Sequence, residues 1–396
     1  MPILLMIVCI NFVGVGALIP ILPYTILETM GQPASVMTLL LASFALAMFV
    51  ANPILGRLSD YFGRRLVLFL SLGLAALAHL WFAMSDDITH LFMARIVAGL
   101  GSGNTGVIQA MITDRTTPEK RAQYMGLLGA AIGVGFIAGP ALGGLLSNIG
   151  DGPLYRTPFL LAAGFACLAL VMTFWLKGVE RDRPDPGAVF MQGSMMGRVR
   201  ELLASPLALY AIASLMLNLS FAQVEASFVL VLRDYLGFGA VQTGWLFTYI
   251  GVCIILVQAV LIKSIVARLG EVGTTFLGTS LLALGQVITI LVVMGLFVGN
   301  DYPLVQTMLA TTAICFGFAL STPAITAAVS KIAGASSRGG SLGTIQGFGS
   351  LGQVAGLVVA GPLYDLGGSQ YPFGFGAVVT ICLVAIVTRL SRPPQN

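Results

Sequence analysis

Three side chains able to carry charge fall deep inside long apolar stretches of this 396-residue sequence: His79, Arg95 and Glu225. An ionisable group in hydrocarbon is costly, so each is a candidate for handling protons or polar cargo. Glu225 follows Ser214 and Asn218 on one helical stripe, and a carboxyl sealed from water suits a group that loads and releases a proton. Arg95 opens a stripe with Ser102, Gln109 and Thr113, spaced by seven, seven and four. That spacing puts a cation and its polar neighbours on one helix face, toward a water-filled cavity. The competing reading is snorkelling, because Arg95 lies only about 8 Å from His90 at the helical rise per residue. His79 reads as a hydrogen-bonded structural group or as a further proton carrier. The five cysteines, at 9, 167, 253, 315 and 382, all sit in apolar stretches without CxxC or Cys/His spacing. They read as small buried hydrophobes, so no metal and no cofactor is expected.

The elements that must position these groups follow from composition. Hydrophobic residues make up 57% and charged residues 9%, which suits lipid and excludes an ordinary soluble domain. Continuously apolar runs, each about 18 to 25 residues long, favour helices over lipid-spanning strands, which alternate and are shorter. Twelve spans are expected, near 3–23, 35–55, 66–84, 91–112, 123–146, 158–176, 206–232, 241–262, 274–298, 303–328, 341–363 and 371–390. The first lacks the basic start and cleavage site of a signal peptide and counts as a span. Nearly all Lys and Arg fall in one alternate set of loops, with Arg156 and Arg233 opposite and Arg95 within a span. Basic loops stay inside, so both termini are expected in the cytoplasm, and the net charge of +4 needs no nucleic-acid partner.

The charged, proline-bearing interval between Lys177 and Glu201 reads as a linker. It divides an N-terminal bundle of six helices, residues 1–177, from a C-terminal one, 205–396, with the cytoplasmic linker over 178–204. A repeat at an offset of 217 residues supports the division: Arg121, Gly126, Gly135, Gly139 and Gly144 match Arg338, Gly343, Gly352, Gly356 and Gly361. Repetition between halves marks a transporter whose two bundles rock about a midplane site.

The loop after the second span carries Gly56, Asp60 and Gly63 followed by Arg64 and Arg65. This pattern resembles the signature loop of the major facilitator superfamily. Arg95 to Gly103 resembles its fourth-helix arginine motif. Gly135, Gly139, Pro140, Gly143 and Gly144 lie in a segment resembling the fifth-helix motif of drug/proton antiporters, and the chain is especially similar to tetracycline exporters. Physically, Asp60 and Arg64 are spaced i,i+4, and Asp60 near the N-terminus of span eleven would meet the positive end of its dipole. Gly56, Asp60, Gly63, Arg64, Arg65 and Asp114 are thus read as a conformational latch, with Asp114 sharing Arg64 or Arg65. The fifth-helix glycines allow close packing, and Pro140 adds a bend that could gate. The sequence departs from tetracycline exporters where their first-helix acid becomes Asn11, their third-helix acid falls on Ala78 beside His79, and their ninth-helix acid has no counterpart. Tetracycline is therefore a doubtful substrate.

The expected protein is an all-α polytopic membrane protein of the major facilitator fold, with twelve transmembrane helices in two pseudo-symmetric bundles. The resemblance implies proton-coupled efflux of small amphipathic or hydrophobic compounds by alternating access. Glu225, Asp114 and His79 are the proton-coupling candidates, and Asn11, Arg95, Ser102, Gln109 and Asn218 the substrate-cavity candidates. The expected partners are the lipid bilayer, a small-molecule substrate and protons, in a monomer of the bacterial inner membrane energised by the proton gradient. The rival is a facilitator family transporter of one metabolite, lipid or siderophore without proton antiport. A membrane enzyme lacks its motifs here, and a sensor would need a signalling domain.

Overall fold

The computed structural model describes residues 1–147, 149, 155–176, 197, 200, 204–205, 207–296, 302–333 and 338–390. The linker expected over 178–204 lies almost wholly outside them. The helices are α1 (Pro2–Ala17), α2 (Ala34–Phe62), α3 (Arg64–Ala83), α4 (Ile88–Ser102), α5 (Thr105–Asp114), α6 (Pro118–Leu146) and α7 (Arg156–Met172). They continue with α8 (Ala208–Leu236), α9 (Ala240–Leu256), α10 (Ile262–Val293), α11 (Pro303–Ile332), α12 (Arg338–Gly367) and α13 (Gln370–Leu390). Among the described residues, ten helices are long and apolar enough to cross a membrane. One of these runs over Ala240–Val293, but its backbone turns at Gly270, φ 69° and ψ 177°, so it serves as two spans. With the shorter α1 the set is twelve, and the protein is an integral membrane protein of the expected class.

Two spans differ in detail from the sequence reading. The first does not stop at Pro23: after turns around Pro20 the chain resumes as a π-helix over Tyr24–Thr29. The fourth is broken into α4 and α5 at Gly103 and Asn104. The Asn104 amide donates to Ser71 Oγ at 3.0 Å, and Gly106 N–H donates to Asn52 Oδ1 at 2.9 Å, so side chains satisfy the polar groups around the break. Cys167 and Cys382, expected to be buried, are exposed, because the outer face of a membrane helix packs against lipid and not protein.

The chain packs as two compact units, and neither is one stretch of sequence. The first comprises residues 1–32, 43–192 and 239–251. Its core gathers Leu4, Ile7, Leu68, Leu72, Ile108 and Ile112 from α1, α3 and α5. Small residues set the seams: a Cβ on Gly135 would meet Phe12 and Cys9 of α1, and one on Gly139 or Gly143 would strike backbone between Val13 and Ala17. Gly144 lies against Ala240 and Gly244 at the start of α9.

The second unit comprises residues 33–42, 193–238 and 252–396. Here Gly352 and Gly356 of α12 press on Leu215, Leu219 and Ala222 of α8, and Gly361 presses on Ser35 and Thr38 at the start of α2. The repeated glycines therefore do the same work in each unit: two seat the fifth helix of a half on its first helix, and the third seats it on an incoming helix start. That incoming start in unit two is also capped from afar, because the Asp365 carboxylate accepts the Ala34 and Ser35 N–H groups, each at 3.0 Å.

Candidate functional site

The loop between α2 and α3 turns at Gly63, whose φ of 96° only glycine adopts easily. The turn points Arg64 back at the end of α2. Its Nη2 lies 2.6 Å from Asp60 Oδ1, its Nε donates to Asp114 Oδ2 at 3.1 Å, and its Nη1 donates to Ser59 Oγ at 2.7 Å. Ser59 Oγ in turn donates to Gly56 O at 2.6 Å. Arg64 is the hub, and it binds both acids of the candidate latch, Asp60 and Asp114. Arg65 does not join it: its Nη2 donates to Phe174 O at 3.0 Å and its guanidinium lies 5.9 Å from the Phe174 ring. Adjacent residues on a helix point about 100° apart, so Arg64 faces α5 while Arg65 faces the end of the sixth span.

Deep in the first unit, Arg95 is 6% exposed and sits 4.3 Å from the centre of the Phe44 ring. Its Nε is sealed and has no hydrogen-bond partner. His79 on α3 is also buried, within electrostatic reach of Arg95 and 6.2 Å from the Phe159 ring. Asn11 is buried on α1, whereas Ser102 and Gln109 are half-buried and lie either side of the helix break. The stripe expected to run straight from Arg95 to Thr113 is therefore interrupted. Close seams hold α4 in place: a Cβ on Gly99 would strike Phe44 O, and one on Gly101 would strike Ser71 and Ala75. Asp87 caps the helix, accepting from Thr89 N at 2.8 Å and His90 N at 3.2 Å. Those bonds, His90 first, hold its carboxyl below the usual carboxylate range. The cap therefore adds stability above the unfolded carboxylate pKa and is lost only as pH falls through the lowered one.

In the second unit, the stripe read on α8 faces α12. Gly349 lies against Ser214 and Asn218, and Gln353, one turn on, donates from Nε2 to Glu225 Oε2 at 2.9 Å. Asn218 donates to Ser214 O at 2.8 Å. A second polar group escaped the sequence reading. Gln286 donates to Ser220 Oγ at 2.9 Å, Ser220 and Thr380 hydroxyls meet at 2.5 Å, and Thr380 donates to Gln286 Oε1 at 3.0 Å. All three are fully buried. Glutamine within an apolar span was the available signal, and it applies equally to Gln353. Among the described residues no three His, Cys, Asp or Glu side chains gather as metal ligands would.

A family model described as Major Facilitator Superfamily matches residues 4–299. Multidrug resistance protein 1 of Bacillus subtilis is 30% identical over 397 residues, covering 98% of this chain and 95% of its own. Quinolone resistance protein NorA of Staphylococcus aureus is 27% identical, covering 90% and 87%. Among solved structures, the nucleoside transporter NupG superposes with a TM-score of 0.75 at 14% identity, covering 99% of each chain. The human organic anion transporter MFSD10 (TETRAN) does so at 0.72 and 21%, covering 98% of each chain. At these identities the structures speak for the fold alone.

Proposed function

The chain belongs to the major facilitator superfamily, and from that premise we propose that it exports small amphipathic or hydrophobic compounds in exchange for protons. Membership makes it a transporter and not an enzyme. The drug-efflux reading is supported by relatives that carry multidrug and quinolone resistance in their names along nearly the whole chain. The proton reading rests on one observation. Among the described residues Glu225 is the one acidic side chain in the middle of a span, and it is held by a neutral amide, Gln353, with no ion pair to lock it charged. A carboxyl so placed can gain and lose a proton as its helix changes exposure.

The remaining roles follow the same reading. Arg95, with His79, Asn11, Ser102, Gln109 and Asn218, serves the substrate path. The Lys and Arg distribution supports cytoplasmic termini in a bacterial inner membrane, with the proton gradient as the energy source and no cofactor. The functional unit is a monomer. The test is uptake of a fluorescent amphipathic dye into inverted vesicles, which acidification of the lumen should drive and an uncoupler should collapse. Uptake insensitive to the gradient would favour the facilitator reading instead.

Gly56, Asp60, Gly63, Arg64 and Asp114 form the latch of the proposal, centred on the Arg64 hub, with Arg65 holding the end of the sixth span instead. Asp60→Asn removes a charge from the Arg64 hub, and because this acid is 36% exposed the i,i+4 pair is worth about 0.3–0.5 kcal/mol to folding, so its effect is expected in the latch. Transport is expected to fall roughly tenfold or more, with the amount of inserted protein unchanged. Dye uptake normalised to protein in the same vesicles checks this, and wild-type rates would remove the latch.

A further inference from the structure

We propose that Arg95 is the anion-recognising point of the substrate path, and that the compounds it selects carry a carboxylate on an apolar, aromatic body. The inference rests on the transporter reading above and names a chemical class within it.

Four observations carry it. Arg95 is almost wholly buried, yet among the described residues no carboxylate pairs with it. Its guanidinium carbon lies over the Phe44 ring, 4.3 Å from the centroid. Its Nε is sealed without a partner, whereas its two terminal nitrogens, also unbonded, keep contact with open space. The acids nearest in sequence are committed elsewhere, Asp86 to the Tyr155 hydroxyl at 2.7 Å and Asp87 to the α4 cap.

A buried cation is normally neutralised by a fixed acid, because an uncompensated one is costly to keep. The two terminal nitrogens left unbonded form a fork that matches the two oxygens of a carboxylate by parallel N–H donors. A mobile anion therefore completes what the protein leaves open. The ring beside it favours a carboxylate attached to an apolar body over a small inorganic anion.

The experiment compares 1-naphthylacetate with 1-naphthylacetamide, which share a ring system and differ in charge. The probe is the thermal unfolding midpoint of the full-length protein in dodecyl maltoside, which carries no competing anion. The wild type should bind the acid about tenfold more tightly than the amide, in line with a charge-assisted bidentate pair. Arg95→Gln should erase the preference, and Arg95→Lys, which keeps the charge but loses the fork, should retain only part of it. Should Arg95→Gln not fold, Arg95→Lys makes the same comparison, and Phe44→Ala should weaken both probes while keeping the acid preference. Equal response of the wild type to both probes, no response to the acid, or an acid preference undiminished in Arg95→Gln or Arg95→Lys would overturn the proposal. Gradient-driven dye uptake by wild-type vesicles is scored separately, so failure of carboxylate selection is distinguishable from failure of the transporter reading.

Discussion

Glu225→Gln is expected to abolish accumulation driven by a pH gradient while leaving exchange at equal pH in place. Glutamine keeps the size of the side chain and can still pair with Gln353, whose amide lies 2.9 Å from the carboxylate in the native protein. The packing of α8 on α12 is therefore preserved, since Gly352 and Gly356 set that seam and not the acid. What is lost is the ability to release a proton. A carrier fixed in its protonated form can move substrate down its gradient but cannot couple that movement to protons. Inverted vesicles measure both activities side by side. Gradient-driven uptake should drop to the level seen with an uncoupler, and substrate exchange should stay within about threefold of wild type. Full gradient-driven uptake by Glu225→Gln would pass the coupling role to Asp114 or His79.

Gly143→Ala carries the largest expected effect on stability. An added methyl would fall on the Ala17 carbonyl, so α6 and α1 must move apart along the whole seam that Gly135 and Gly139 also line. Overpacking of this kind costs about 1–3 kcal/mol, and backbone against backbone offers no flexible side chain to yield. Gly126→Ala, on the same helix, meets nothing within 4 Å, and removing a helical glycine should if anything stabilise by about 0.5–1 kcal/mol. Opposite shifts of the unfolding midpoint are therefore expected from the same chemical change. Equal midpoints for the two variants would show that the α1–α6 seam is looser than its geometry implies. Gly352, the repeat partner of Gly135, would likewise drive a methyl into backbone, the Leu215 carbonyl of α8, so Gly352→Ala should behave like Gly143→Ala.

Some of the candidate site was legible from spacing. The i,i+4 pair of Asp60 and Arg64 forms its ion pair, since neighbours on one helix face need only local geometry to meet. The stripe of Ser214, Asn218 and Glu225 does share one face, for the same reason. The choice of Arg64 over Arg65 for Asp114 was not legible. It depends on the left-handed turn at Gly63, which aims the start of α3, and on the position of α5, fifty residues on.

Composition and the length of apolar runs alone determined that this is a helical membrane protein of twelve spans, because lipid leaves the backbone no other way to satisfy its hydrogen bonds. The glycine echo at a fixed offset likewise announced two related halves, since small residues recur wherever helices must touch. Tertiary structure decided what those glycines touch, which amide holds Glu225, and that Arg95 rests on Phe44 without an acid. Gln353 and Glu225 are 128 positions apart, and no periodicity within one helix reports its rotation against another. The breaks at Gly103 and at Tyr24–Thr29 belong to the same class. A helix is interrupted where a neighbour supplies the lost hydrogen bonds, as Asn52 and Ser71 do for the fourth span, and a neighbour exists only once the chain has folded.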